Sequence, residues 1–164
     1  MKSEIQIITE VWQNNRERTL ATLDQIAAED DPPAALAFRP GPGRAHSAWQ
    51  LMHIAVTEGL FATERLHQRP FDQPELVRRF GRDSVPDDDI PDLEEIRRML
   101  QRTRESLLQA VSQFTDADLE RIPEGFAERG WTLRKVLHVI AWHEAHHQGQ
   151  VHLTQNLFRA SRTG

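Results

Sequence analysis

Trp131-Thr132-Leu133-Arg134-Lys135-Val136-Leu137-His138-Val139-Ile140-Ala141-Trp142-His143-Glu144-Ala145-His146-His147-Gln148-Gly149-Gln150-Val151 carries the plainest helical signature in the chain. Thr132 is a capping residue, and after it Leu133, Leu137, Ile140, His147 and Val151 recur at the spacing that forms one face of an α-helix, with Val136 and His143 at its edge. A helix is predicted from Leu133 to near Arg159. His143 and His147, four residues apart, then sit one turn from each other on the inward side, while His146 lies about 100° away and turns outward.

Working back from this segment, three more stretches show the same period and none alternates with the period of two that a strand requires. The first helix is read from Ser3 to about Ala28, with Ile5, Ile8, Trp12, Thr19 and Leu23 on one face, and Asp30-Asp31-Pro32-Pro33 stops it before a linker containing Pro40-Gly41-Pro42-Gly43. The second opens at Ser47, read as the cap with Gln50 closing a capping box, and ends before Pro70; its inward stripe is Trp49, Met52, His53, Val56, Leu60 and Thr63 or Glu64. Phe71 to Pro91 is read as a long crossover. The third helix starts after Asp92, with Glu95 as its capping-box partner, and carries Leu93, Ile96, Leu100, Leu107, Leu108 and Val111. Thr115 to Leu119 forms a brief helical turn. The expectation is an all-α fold, one four-helix bundle domain over residues 1–164.

Composition narrows the chemistry. The 164 residues are 38% hydrophobic and 27% charged with a net charge of -5, which leaves no basic face for phosphates and argues against nucleic acid as a direct partner. There is no cysteine, so a thiol nucleophile, a disulfide or a sulfur-ligated zinc is excluded and any metal must sit on nitrogen and oxygen. The start, Met1-Lys2-Ser3-Glu4-Ile5, lacks the apolar core of a signal peptide, and no apolar run approaches the roughly 20 residues of a bilayer span, so a cytoplasmic protein without a membrane partner is expected. Histidine is abundant, with five of the eight between His138 and His152.

Two imidazoles hold a divalent ion poorly, and a catalytic site normally has three protein ligands with a position left open. His53, on the buried stripe of the second helix, is the third candidate beside His143 and His147. An imidazole buried there without a partner costs on the order of 1–3 kcal/mol, which a metal relieves. Glu144 is read either as orienting a ligand histidine or as a solvated carboxylate. Trp49 and Trp131 are read as core or cap packing, with a pocket wall beside the metal as the alternative, Gly149 as a point of close helix packing, and Gln148 and Gln150 as polar neighbours without a catalytic role. Asp83, Asp87, Asp88, Asp89 and Asp92 fit no EF-hand spacing and are read as a solvated loop. Arg78, Arg79, Arg97 and Arg98 are read as surface charges paired with nearby acids, with contact between one of them and an anionic substrate as the alternative.

Ser47-Ala48-Trp49-Gln50-Leu51-Met52-His53-Ile54-Ala55 with Glu58 resembles the first motif of the DinB superfamily, and Trp131-Thr132-Leu133-Arg134, His138 and His143-Glu144-Ala145-His146-His147-Gln148-Gly149-Gln150 resemble its second. The resemblance implies an up-down-down-up four-helix bundle, a homodimer, and a zinc, nickel or iron-type ion held by His53, His143 and His147. It also implies chemistry like that of relatives that use low-molecular-weight thiols: bacillithiol S-transferases, mycothiol-dependent maleylpyruvate isomerases and the N-terminal domains of ergothioneine-synthesising enzymes.

The leading expectation is therefore a metal-dependent enzyme that presents a small thiol to an electrophilic small molecule, with the ion open at one end of the bundle. The alternatives are a metal-dependent hydrolase, a non-catalytic metal-binding stress-response protein, and a di-iron bundle. The last would use Glu64-x-x-His67 and Glu144-x-x-His147 with Glu10, Glu17, Glu95 and Glu105.

Overall fold

The computed structural model describes residues 1–163, and among these there are helices and turns but no strand. Four long helices form the bundle: α1 (Glu4–Ala27), α3 (Ser47–Leu60), α5 (Leu93–Val111) and α6 (Leu133–Arg162). Two short ones, α2 (Pro32–Ala37) and α4 (Pro74–Phe80), lie in the segments read from sequence as linker and crossover. Both begin with proline in the first turn, where its missing N–H costs nothing, and α2 is capped by Asp31. Pro32 and Pro33, which end α1, thus start α2.

Ser3 caps α1 in a full capping box with Gln6, and the turn at Asp116–Asp118 adds to it: Asp116 accepts hydrogen bonds from the Glu4 and Ile5 backbone N–H groups at 2.8 and 3.1 Å. Asp92 caps α5 and Thr132 caps α6, as expected. The cap of α3 differs. His46 Nδ1 accepts from the Trp49 N–H, while the Ser47 hydroxyl instead accepts from Gln155 Nε2 of α6, and Gln50 is released from capping for another role. A buried imidazole nitrogen does here what a serine hydroxyl ordinarily does.

Cross-helix pairs give the topology. Trp12 meets Leu137 and Thr22 meets Gln148, so α1 and α6 run parallel; Glu58 meets Arg104 and His67 meets Ala110, so α3 and α5 run parallel. Gln50 meets Gln150 and His53 meets His143, so α3 and α6 are antiparallel, as are α1 and α5 through Arg97–Asp24 and Arg104–Trp12. This is the up-down-down-up order, with residues 61–92 crossing between two parallel helices.

The apolar core is in two parts. Leu23, Ile26, Leu51, Ile54, Ile96 and Leu100 fill one end, and Ile8, Trp12, Leu107, Leu133, Leu137 and Ile140 fill the other. Between them lies a polar layer containing Arg16, Glu58, Arg104 and Glu144, each under 10% exposed. None of the described helices is long and apolar enough to cross a membrane.

After Leu60 the α3 helix widens into a π-helical turn, Phe61–Arg65, a feature that recurs beside functional sites. Two glycines let other segments press against this region. A Cβ on Gly59 would lie 2.5 Å from the Phe71 ring, and one on Gly125 would lie 2.5 Å from the Arg65 carbonyl oxygen. The 3-10 segment Glu124–Arg129 therefore rests directly on the π turn, with Phe61 and Phe126 stacked at 5.7 Å.

Candidate metal centre

His53 on α3 and His143 and His147 on α6 come together where these antiparallel helices cross. One nitrogen from each ring lies within 4.8 Å of the other two, and among the described residues this is the group of side chains suited to hold a metal ion. The ring centroids are 4.5 to 5.0 Å apart.

Each ring is aimed by what its other nitrogen touches. His53 Nδ1 lies 2.6 Å from the Phe80 carbonyl at the end of α4. A carbonyl only accepts, so His53 carries its proton on Nδ1 and its Nε2 lone pair is free. His147 Nδ1 lies 2.5 Å from Gln50 Oε1, and Gln50 in turn donates to Gln150 Oε1 at 2.8 Å, which fixes the orientation of its amide. His147 Nε2 is thereby freed as well. Trp49 stacks on His53 at 4.6 Å and 9°, held by its own Nε1–H, which lies 3.1 Å from both the Arg79 carbonyl and the Ser84 hydroxyl. A ligand imidazole that donates its second nitrogen to an oxygen acceptor is the usual supporting arrangement around a metal.

The donor set fits a divalent ion. His53 Nε2 and His143 Nε2 are 3.2 Å apart, and two nitrogens bound at about 2.0–2.1 Å to one tetrahedral ion stand about 3.3 Å apart. The rings are also in the form a metal requires. Burial lowers the His53 pKa, outweighing the upward pull of the Phe80 hydrogen bond. Burial, followed by the neighbouring imidazoles, takes His143 down to about 4 and His147 to about 2. All three are neutral at pH 7.

Glu144 neither orients a histidine nor faces solvent. It accepts from Arg16 Nε at 2.7 Å, from Thr19 at 2.9 Å and from Arg104, while Glu58 is held by the same two arginines. Burial alone would raise the Glu58 pKa, but the charges of Arg16 and Arg104 overcome it and hold the carboxyl below its ordinary value. Two positive and two negative charges thus neutralise each other in the middle of the bundle. The carboxylates of the di-iron reading do not meet: Glu144 is committed to this quartet, Glu10, Glu17, Glu64 and Glu105 are exposed, and His67 bonds the Ala110 carbonyl.

The histidines lie mid-length on α3 and α6, so the site opens on the flank of the bundle rather than at its end. Beside them is a cavity of about 680 Å³, walled by Phe61, Phe126, Trp131 and Trp142 and rimmed by His146, which stacks on Trp142 at 4.9 Å. Trp49 and Trp131 are therefore walls of this cavity rather than simple core. Gly149 is no packing point, because a Cβ there would meet nothing within 4 Å. Of the surface arginines, Arg78, Arg79 and Arg97 pair with Glu75, Asp87 and Asp24, and Asp92 serves as a cap.

Sequence reasoning found the three histidines and missed what supports them. Gln50 carried a signal, since it precedes His53 by three residues and shares its helical face. The Phe80 carbonyl carried none, because a backbone acceptor has no signature in the residue that bears it.

The sequence profile described as DinB superfamily matches residues 6–151, a span that includes all three histidines and both motifs. No curated protein matches the chain.

Proposed function

The chain belongs to the DinB superfamily, and for it we propose a divalent-metal-dependent enzyme acting on small molecules, with the ion held by His53, His143 and His147. The observation that carries this reading is the convergence of three neutral imidazoles, two of them with Nδ1 tied to an oxygen acceptor, beside a cavity large enough for an organic ligand. A merely structural ion would need no such space next to it.

The ion would supply Lewis acidity, stabilising the anion of a thiol or of water over the neutral molecule near neutral pH. The reaction we favour is transfer of a low-molecular-weight thiol to an electrophilic carbon. The thiol proton leaves to solvent at the open mouth, the sulfur forms the new bond, and the leaving group departs with its electron pair. Hydrolysis is the second reading: among the described residues no carboxylate lines the cavity, since Glu58 and Glu144 are locked to Arg16 and Arg104, and His146 at its rim is the side chain that would take a proton from water. A thiol, with a pKa near 8.5 against about 15.7 for water, needs less help from a base, which is why transfer is the first reading. The chain's own residues then act by holding and excluding: Trp49 and the Phe80 carbonyl fix His53, Gln50 fixes His147, and the aromatic wall keeps bulk water from the electrophile. A zinc, nickel or iron-type ion, a homodimer and a cytoplasmic location belong to the same reading.

Elemental mass spectrometry on purified protein tests the site. One ion per chain is expected, lost in both His53→Ala and His147→Ala; retention in either removes that residue from the ligand set. Assay of the loaded protein with an alkylating electrophile, with and without added thiol, separates transfer from hydrolysis.

A further inference from the structure

Arg65, Arg82 and Arg129 line the cavity beside the histidines, and among the described residues no aspartate or glutamate does. In a chain with 25 acids against 20 bases this is a local reversal of sign. Each of the three has an acid as its sequence neighbour, Glu64, Asp83 and Glu128, yet only the arginine of each pair reaches the cavity. All three are exposed and none is in an ion pair among the described residues, a state they share with Arg18, Arg44 and Arg98; what sets them apart is that they converge on one cavity. Arg129 lies over the Trp131 ring at 5.1 Å, which leaves its N–H groups unpaired at the cavity edge.

The three come from separate segments, the π turn, the loop after α4 and the 3-10 segment, and the bare backbone of Gly125 against Arg65 is what brings the first and last together. Phe61, Phe126, Trp131 and Trp142 line the same cavity as the arginines and the imidazoles. From this juxtaposition we propose that the arginines form an anion subsite and that the ligand of this cavity is a small aromatic carboxylate. Its ring lies against the aromatic wall and its carboxylate is gripped by guanidinium forks, which match that group bidentately. This rests on the metal-site reading for the identity of the cavity as the reaction chamber, but the selectivity it assigns belongs to the arginines alone.

The test is calorimetric titration of the metal-loaded protein with 1-naphthoate and, separately, with the neutral isostere 1-naphthamide. Wild type is expected to bind the acid about tenfold or more tightly than the amide. In the triple variant Arg65→Gln, Arg82→Gln, Arg129→Gln the preference should fall to within about twofold. A charge-matched control, Arg18→Gln, Arg44→Gln, Arg98→Gln, alters three arginines outside the cavity and should keep it. Equal affinity for acid and amide in wild type, a preference that survives the cavity triple, or one lost equally in the control would each overturn the inference. Metal content measured on the same samples keeps the two readings apart. An arginine-dependent preference in protein that binds no ion would sink the metal reading alone, and a bound ion without that preference would sink this one alone.

Discussion

His53 Nε2 and His143 Nε2 face each other at 3.2 Å across the α3–α6 interface, and only one of them can carry a proton there. The Phe80 carbonyl holds the His53 proton on Nδ1, so in the metal-free protein the shared hydrogen must belong to His143 Nε2. An ion taken by all three Nε2 atoms displaces it. We therefore expect His143 to switch from the Nε2–H to the Nδ1–H tautomer on metal addition while His53 and His147 keep theirs. Two-bond nitrogen–proton correlation spectra of the imidazoles distinguish the tautomers, and an unchanged His143 pattern on loading would remove it from the ligand set.

Gln50 supports His147 without touching the ion. Gln50→Leu preserves the bulk at a position 7% exposed but removes the acceptor 2.5 Å from His147 Nδ1. Loss of such a support typically weakens metal binding about 10- to 100-fold without abolishing it. Gln50→Glu, which keeps an acceptor, should stay within a few-fold of wild type. Competition with a chromophoric chelator reads both; equal losses in the two variants would mean that packing, not the hydrogen bond, matters there.

The same burial that readies the rings for a metal makes the metal-free protein acid-sensitive. His143 and His147 have folded-state pKa values near 4 and 2, against an ordinary 6.5. Between those values and 6.5 the unfolded chain binds more protons than the folded one, so stability rises with pH across that window. Lowering the pH of the metal-free protein from 6.5 to 5 should cost on the order of 2 kcal/mol for each imidazole. His147→Leu should flatten the dependence. Urea midpoints at the two pH values measure it, and an equal midpoint in wild type would refute the neutral-ring account.

How far the residues foretold this arrangement depends on what an inward position carries. Leucines and histidines at helical spacing on the last helix marked its buried face, and with the matching stripe of the second helix that sufficed to bring His53, His143 and His147 together. The quartet was equally regular but disguised. Arg16 falls between Trp12 and Thr19, Arg104 between Leu100 and Leu107, and Glu144 between Ile140 and His147, each on its helix's buried stripe. A charge at such a position reads as a break in the pattern when each helix is taken alone. Only the folded bundle reveals that these three and Glu58 share one level and cancel in sign. The cavity walls at Phe61 and Phe126 were hidden for another reason: they lie in irregular segments, where no period points to a face.

Because the quartet cancels within itself, removing one member should cost more than removing a pair. Glu58→Gln leaves Arg16 and Arg104 buried against Glu144 alone, and breaking a buried pair in this way typically costs about 3–5 kcal/mol. Adding Arg104→Met restores neutrality and should recover a large part of that loss, giving a coupling energy above about 1 kcal/mol in a double-mutant cycle. Additive losses by denaturant titration would mean that the four charges act independently.

Two glycines should respond to alanine in opposite senses. Gly149 lies inside α6, where glycine costs about 1 kcal/mol relative to alanine, and a Cβ there meets no atom within 4 Å. Gly149→Ala is expected to raise the melting temperature by about 2–4 °C and leave metal content unchanged. Gly125 is the reverse case. Its Cβ would fall 2.5 Å from the Arg65 carbonyl oxygen, a backbone atom that can yield only if the 3-10 segment lifts off the π turn. Gly125→Ala should therefore cost about 1–3 kcal/mol and separate Phe126 from Phe61, loosening one wall of the cavity while the histidines, held by α3, α4 and α6, stay in place. Weaker naphthoate binding at undiminished metal content is the expected signature. Loss of the ion in Gly125→Ala would instead mean that the cavity wall and the imidazole cluster are one cooperative unit.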